Sequence, residues 1–583
     1  MRRELDALTR PAADRPVDAG GHGRRRLVLG VLLAGLAALV WRAFDLQLEE
    51  RDFLRGQGEA RHLRVVSVPA HRGMITDRHG EPLAISTPVD SVWANPQELI
   101  VARERLPELA QLLGLPVDGV QQLLAGRGDR EFVYLRRHVT PDLGRAVLAL
   151  DLPGVALQRE YRRYYPAGEV AGHVLGFTNI DDVGQEGIEL AYDDHLRAEA
   201  GSKQVIKDRL GHVIDEVGSV RDPRPGRDLR LSLDRRIQYL AYRELKAAVK
   251  QYQARSATAV VLDARTGEVL AMVNQPSFNP NNRRVLNSDS YRNRAVTDVF
   301  EPGSTLKPFT VAAALESGRY RPGTPVDTSP GWLQVGRLTV RDIRDFGPID
   351  VATVITKSSN VGVTKIALDL PAEALWQVLR QAGFGAPTGS GFPGEVAGLL
   401  SSPRRWSPVE VATLSYGYGL STTPLQLAQA YAMLANGGVR IPVSLLARDD
   451  QPAGERVLEQ ATVDALLRMM ETVVSPVGTA RRAAVTGYRV AGKTGTVKKS
   501  IAGGYADDRY VAVFAGVAPA SRPRLVTVVV ISEPQGKEYY GGLVAAPAFA
   551  RIMAGALRLM NIAPDDPAAW QALDADGKRD GAT

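Results

Sequence analysis

The chain has no cysteine, and no histidine follows His212. The first absence excludes disulfides and thiolate metal sites, and it suits either redox compartment. The second leaves the C-terminal part without imidazole: His22, His62, His71, His79, His138, His173, His195 and His212 all precede residue 226. Neither a Ser-His-Asp triad nor a His- or Cys-ligated zinc can be assembled from that part alone, so neither metal nor cofactor is expected there. Any base must be a lysine, a carboxylate or a tyrosine. Also missing is a basic stripe interleaved with aromatics, so the net charge of +7 carries no nucleic-acid footprint.

What is present fits an exported protein of several domains. A length of 583 residues exceeds one core, since single cores stop growing at roughly 250–300 residues. Arg24-Arg25-Arg26 directly precedes the longest apolar run, Leu27 to Trp41, which Arg42 interrupts and Ala43 and Phe44 resume. The run is shorter than the ~20 residues a spanning helix needs. Snorkelling of Arg42 extends it to about Leu46. The pattern predicts a cytoplasmic tail over 1–26, an uncleaved single-pass signal anchor over 27–46 in the cytoplasmic membrane, and an extracytoplasmic remainder. A cleaved signal peptide is the competing reading.

After a juxtamembrane linker (47–62), residues 63–220 read as short apolar-alternating pieces broken by turns, with Gly184–Glu189 opening a helix. The segment Arg221-Asp222-Pro223-Arg224-Pro225-Gly226 reads as a linker. Asp234 then caps a helix whose apolar face is Ile237, Leu240, Ala241, Leu245, Ala248, Val249 and Tyr252. Ala257–Leu262 and Glu268–Met272 predict one hairpin, Tyr510–Val517 and Leu525–Ile531 a second, and Ala546 to Met560 a last helix. Together they predict a layered α/β or α+β domain over 227–562, an antiparallel sheet packed by helices, with a flexible tail over 563–583.

Three short motifs carry chemistry. Ser304-Thr305-Leu306-Lys307 is the chain's only Ser-x-x-Lys, followed by helix-forming Ala312–Glu316. Residues three apart share a helical face, so Ser304 can be a nucleophile with Lys307 as its base. Pro308 requires that Ser304 sit at the helix start, where developing negative charge is also favoured. Ser358-Ser359-Asn360 follows; alone it reads as a helix cap at Ser358, and Ser277-Phe278-Asn279 also matches Ser-x-Asn. Lys493-Thr494-Gly495-Thr496 comes third. It completes a formal P-loop with Gly487 and Gly492, but Gly495-Thr496-Val497 is strand text, whereas a P-loop must pass into a helix. As a strand, Gly495 lets a substrate backbone approach, Lys493 with the Thr494 and Thr496 hydroxyls can clamp a carboxylate, and a strand N–H can join that of Ser304 as an oxyanion hole.

This set resembles the active-site serine penicillin-recognising enzymes. Arg72–Arg78 and Gly184–Glu189 look like N-terminal elements of class B penicillin-binding proteins. Phe300–Pro308, Lys357–Gly362, Ser415–Gly419, Gly492–Thr496 and Tyr539–Gly542 look like their division-specific member, the septal peptidoglycan D,D-transpeptidase. The resemblance covers roughly residues 25 to 560. It implies a non-catalytic pedestal over 63–220 and a transpeptidase domain over 227–562, with no glycosyltransferase-sized region before the pedestal. It also implies an acyl-serine reaction on D-Ala-D-Ala stem peptides and acylation by β-lactams. Ser304 would attack and Lys307 would accept its proton, with a pKa lowered by burial and by Lys493. Ser358 would relay the proton, Asn360 hold Lys307 and a substrate amide, and Lys493, Thr494 and Thr496 bind the terminal carboxylate. The implied companions are a lipid II-polymerising membrane glycosyltransferase and other division proteins. The rivals are an elongation-specific transpeptidase, a β-lactamase and a membrane-bound β-lactam receptor. A β-lactamase would want a Glu-x-x-Leu-Asn element, which is absent between Asn360 and Lys493. A receptor would want a larger cytoplasmic domain.

Overall fold

The structure, a computed structural model, describes residues 20–46, 63–207, 213–283, 288–501 and 503–566. The predicted juxtamembrane linker (47–62), most of the N-terminal tail and most of the C-terminal tail lie outside the described residues. Two compact units are present: residues up to 68 with 200–222, and residues 69–199 with 223 onward.

The first unit holds the N-terminal helix and a small antiparallel sheet. The helix runs Gly20–Phe44, so it begins upstream of Leu27 and takes in three arginines expected in the tail. Arginine is a good helix former, so Arg24–Arg26 continue the helix, and the poor helix formers Gly20, Gly21 and Gly23 lie in its first turn. Leu27 (71% exposed) and Trp41 (75% exposed) leave it bare, and it is long and apolar enough to cross a bilayer. Strand Gly201–Lys207 lies between Leu63–Val68 and Val213–Arg221.

In the second unit, residues 69–199 make a mixed subassembly. Strand Pro82–Ala94 pairs with Val133–Val139 and Val155–Tyr164. Helices Leu106–Leu113, Val117–Ala125 and Pro141–Leu148 help build a core of their own around Val92, Leu109, Leu113 and Val147. The two N-terminal sequence elements meet at a buried ion network. Arg72 donates to Glu189 Oε2 (2.7 Å) and Asp193 Oδ1 (2.8 Å), and Arg163 donates to Glu189 Oε1 (2.6 Å). Of Gly184–Glu189, the first three residues form a short strand and the helix starts at Gly187. Removing one partner from a buried ion cluster typically costs about 3–5 kcal/mol, because the remaining charge stays buried. Glu189→Gln is therefore expected to lower unfolding stability by roughly that amount, measured by denaturant titration; an unchanged midpoint would show the cluster to be energetically neutral.

From residue 227 the chain builds a layered α/β assembly. Its elements, numbered here, are α1 (Arg235–Tyr252), β1 (Ser256–Asp263), β2 (Val269–Gln275), α2 (Lys307–Glu316), α3 (Val351–Lys357), α4 (Asn360–Leu368), α5 (Pro424–Ala435), α6 (Gln460–Val474), β3 (Ala491–Ile501), β4 (Gly504–Ala518), β5 (Leu525–Ser532) and α7 (Gly541–Leu559). The sheet is antiparallel throughout, in the order β2-β1-β5-β4-β3, so β3 is an edge strand. Asp234 caps α1 by accepting from Arg236 N, and Ile237, Ala241, Leu245, Ala248 and Tyr252 form its buried stripe. Strands β1, β2 and β5 are almost entirely buried. That pattern requires cover on both faces. Helices α1 and α7 pack together and on the sheet, while α5, buried along its whole length, packs on β1, β4 and β5. Helix α7 begins at Gly541, ahead of the predicted Ala546, and is also of membrane-spanning length, but its burial makes it a core helix.

Candidate active site

Ser304 lies in a 3₁₀ turn, Gly303–Leu306, that leads directly into α2. The amide of Lys307 donates to Ser304 O, and Pro308 occupies the first turn of α2. The tighter turn resolves the clash a proline would cause in a regular helix interior. Gly303 adopts φ +54° and donates its N–H to Gly417 O (3.0 Å). A Cβ on Gly417 would sit 2.1 Å from Gly303 O, which accounts for the glycine within Ser415–Gly419. Ser304 is half-buried, and among the described residues its Oγ has no hydrogen-bond partner.

Lys307 is completely buried and spends its amine elsewhere. Its Nζ donates to Ser358 O (2.5 Å), Ser358 Oγ (3.1 Å) and Asn360 Oδ1 (2.7 Å). Lys493, also fully buried, donates from the other side to Ser358 Oγ (2.9 Å). One half-buried hydroxyl thus bridges two fully buried amines. Burial, with the neighbouring Lys493 charge, holds the Lys307 amine well below the usual lysine range, against an opposing pull from Asp342. Burial also brings Lys493 down to about 7. Once Lys307 loses a proton, its contact with Ser358 can reverse. The Ser358 hydroxyl then donates to the free amine while still accepting from Lys493.

The middle motif is placed by two helix ends. Ser358 closes α3 in the left-handed region, at φ +60°. For a non-glycine residue that costs of order 1–3 kcal/mol, and such strain clusters at functional sites. Capping falls to its neighbour: Ser359 accepts from Gly362 N (2.8 Å) at the start of α4. Asn360 Nδ2 donates to Arg341 O (3.0 Å), which turns its Oδ1 toward Lys307. The other Ser-x-Asn lies apart, with Ser277 donating to Glu169.

Sequence reasoning missed Asp342. Its carboxylate accepts from Ser359 Oγ (2.5 Å), Asn360 N (2.5 Å) and Val361 N (3.1 Å) at the N-terminus of α4. No local signal marks it, because its partners lie 17 to 19 residues on, beyond α3. It is a positioning residue for Asn360 and a negative charge acting on Lys307. Asp342→Asn is expected to slow serine acylation roughly 10- to 100-fold through misplacement of Asn360. Loss of the negative charge should also move the acid limb of the rate profile to lower pH. Stopped-flow acylation by a chromogenic β-lactam across pH reads both, and an upward move would contradict this role.

Lys493, Thr494, Gly495 and Thr496 lie in β3, so Gly492-Lys493-Thr494 is strand and not the helix start a P-loop needs. A Cβ on Gly495 would lie 2.8 Å from Pro302 O and 3.1 Å from Thr305 Cγ2, so only glycine lets the strand lie against the Ser304 turn. Thr494 Oγ1 is 3.1 Å from Thr479 Oγ1, and Thr496 Oγ1 accepts from Gly541 N (2.9 Å) at the start of α7. Glu301, also missed, accepts from Gly419 N (2.9 Å) and Tyr505 O–H (3.0 Å). Among the described residues there is no histidine or carboxylate cluster able to hold a metal.

Residues 257–554 match the penicillin binding protein transpeptidase domain, and residues 67–231 match the penicillin-binding protein dimerisation domain. The chain belongs to the penicillin-binding protein transpeptidase family. It is 45% identical to the peptidoglycan D,D-transpeptidase FtsI of Escherichia coli K12, over 93% of this chain and 92% of that one. It is 42% identical to the probable peptidoglycan D,D-transpeptidase PenA of Neisseria meningitidis serogroup A, over 94% of each. Among solved structures, a peptidoglycan synthetase from Bifidobacterium adolescentis matches with TM-score 0.69 and 25% identity, over 86% of this chain and 98% of that one. The transpeptidase domain of Burkholderia pseudomallei penicillin-binding protein 3 matches with TM-score 0.53 and 43% identity, over 57% of this chain and 97% of that one.

Proposed function

We propose that this chain is a septal peptidoglycan D,D-transpeptidase that works through an acyl-serine at Ser304. The observation that carries the reading is the Lys307–Ser358–Lys493 bridge beside the Ser304 turn. Ser304 Oγ attacks the carbonyl of the penultimate D-Ala of a stem peptide, and its proton passes to the neutral Lys307 amine. The oxyanion lies between the Ser304 N–H and an N–H from the open edge of β3. Collapse breaks the peptide bond. Ser358 hands the departing D-Ala nitrogen a proton and recovers one from Lys307, leaving an ester on Ser304. An amine of a neighbouring stem then attacks that ester, and the same groups return the proton to Ser304. Lys493, Thr494 and Thr496 hold the terminal carboxylate, Asn360 holds Lys307 and a substrate amide, and Gly495 keeps β3 against the Ser304 turn. A β-lactam presents the same carbonyl and carboxylate and acylates Ser304.

The chain is anchored once in the membrane, with a cytoplasmic N-terminus and an extracytoplasmic catalytic domain, next to a membrane glycosyltransferase and other division proteins; the bare N-terminal helix supports the anchor, and the arginines before its apolar run support its direction. The named relatives support a division role over elongation. Two measurements test the reading. Peptide mapping after acylation by penicillin should find the adduct on the peptide that contains Ser304; an adduct elsewhere rejects the assignment. Depletion in cells should give filaments, whereas round cells would indicate elongation.

A further inference from the structure

A second site lies within the 69–199 subassembly, where it meets residues 280–283. A cavity of about 180 Å³ there is lined by Arg162, Arg163 and Arg283, with His138, Asn179 and Asp182. Arg163 is 6% exposed. Its Nε is bound to Glu189 Oε1 and its Nη1 to Ser86 Oγ (3.3 Å), while Nη2 is buried and has no hydrogen-bond partner among the described residues. Guanidinium N–H groups are obligatory donors, and leaving one buried and unpaired is costly. His138 Nε2 is buried in the same state, 3.7 Å from Glu160 Oε2 and so beyond hydrogen-bond reach. His138 also sits at φ +57°, a strained conformation of the kind held at ligand sites.

The charge around the cavity is unbalanced. Glu189, which neutralises Arg163, is shared with Arg72. Arg283 lies over the Phe177 ring, 5.3 Å from its centroid, and donates to Thr178 O. Among the described residues Asp182 is the only carboxylate on the wall. It accepts from Thr178 Oγ1 (3.3 Å), its backbone O accepts from Arg72, and burial pushes its carboxyl up. Three guanidinium groups and one carboxylate leave a surplus of positive charge around an unpaired donor. The volume falls below the roughly 300–1,000 Å³ of drug-sized ligand sites, so the cavity suits one small charged group. Arginine forks match phosphate geometry, with two parallel N–H donors to two oxygens.

From the unpaired Arg163 Nη2 and the three-arginine wall, we infer that this cavity is a binding site for a phosphate monoester. The ligand fills the donor that Glu189 and Ser86 leave free, and it offsets the surplus charge beside the Arg72–Glu189 network. Occupancy therefore stabilises the subassembly. Such a phosphate can come from a soluble metabolite or from a lipid headgroup, and the cavity reads only the phosphate end. The site shares no residue with the Ser304 cleft, so its failure would leave the transpeptidase reading untouched.

The test uses the full chain in detergent micelles. Thermal unfolding and calorimetry are run with inorganic phosphate and glycerol 3-phosphate, against chloride at matched ionic strength. A parallel arm replaces the soluble ester by phosphatidic acid in the micelles. Arg163→Lys keeps a cation for Glu189 but removes the free Nη2, and Arg162→Gln changes an exposed residue that does not threaten the fold. Penicillin acylation of each variant checks folding. The expected result is saturable binding that raises Tm, in one or both arms, and weakens at least about tenfold in both variants. No saturable binding in either arm, an equal shift with chloride, or binding retained in both variants would overturn the inference.

Discussion

Ser304→Ala is expected to abolish covalent capture of penicillin and to lower transpeptidation by roughly four to six orders of magnitude, the scale seen when a nucleophile is removed from another serine enzyme. Nothing near the turn can substitute. Thr305 is buried and its hydroxyl donates to Pro302 O (2.7 Å), so it is committed to holding the turn. Ser358 lies in contact with two amines, but its Oγ is spent between them. Folding should survive, because Ser304 is half-buried and its Oγ makes no hydrogen bond among the described residues. The check is intact-mass spectrometry after incubation with benzylpenicillin, alongside thermal unfolding. A Ser304→Ala protein that still gains the mass of the drug would end the assignment.

Lys307→Met is expected to slow acylation by about 10²–10⁴-fold, the range for loss of a general base, while raising thermal stability. The second effect follows from linkage. A lysine whose folded pKa lies below its unfolded value makes the folded state bind fewer protons between those two values. Stability then rises with pH through that window, and the penalty is present in full below the folded pKa. For Lys307 the window reaches up to the ordinary value of 10.5 from well below it. Removing the amine should therefore raise Tm by several degrees, and by more at acid pH than near pH 10.

The charge of Lys493 helps push Lys307 down. Lys493→Met should thus raise the Lys307 pKa and move the acid limb of acylation to higher pH, opposite to Asp342→Asn. The proposed mechanism needs Lys307 neutral and Lys493 charged, and burial brings Lys493 down to about 7, so activity is expected to fall on the alkaline side as Lys493 deprotonates. The measurement is the second-order acylation rate constant over a broad pH range. A Lys493→Met profile that moves to lower pH would contradict the electrostatic account.

Local text gave a good guide to the regular elements after residue 226. Asp234 and the apolar stripe of α1 follow helical spacing, and the two hairpins follow short, nearly continuous apolar runs broken by turn residues, as strands covered on both faces do. Boundaries slipped where packing overrode local preference. Helix α7 starts at Gly541 because Gly541 N reaches Thr496 Oγ1 and only glycine fits against Gly495 O. The N-terminal helix runs back through Arg24–Arg26 because arginine is a good helix former. The strand β4 starts well before Tyr510 because it pairs with the far end of β3, a partner invisible to local alternation.

By itself the sequence determined the residue types available for chemistry: no thiol, no imidazole in the C-terminal part, and a serine with a lysine one turn on. It also determined that Gly-Lys-Thr is no phosphate loop, because the residues after it favour strand. Tertiary structure alone decided that the Lys307 amine is held by Ser358 and Asn360, that Ser359 and not Ser358 caps α4, and that Asp342 holds that helix start. The Lys307 and Asp342 contacts join residues 17 to 53 positions apart, whereas spacing along a chain reports only neighbours within a helical turn or along one strand. The protonation of the two buried lysines belongs with them, because it is set by desolvation and mutual charge, and both exist only once the chain has closed around them.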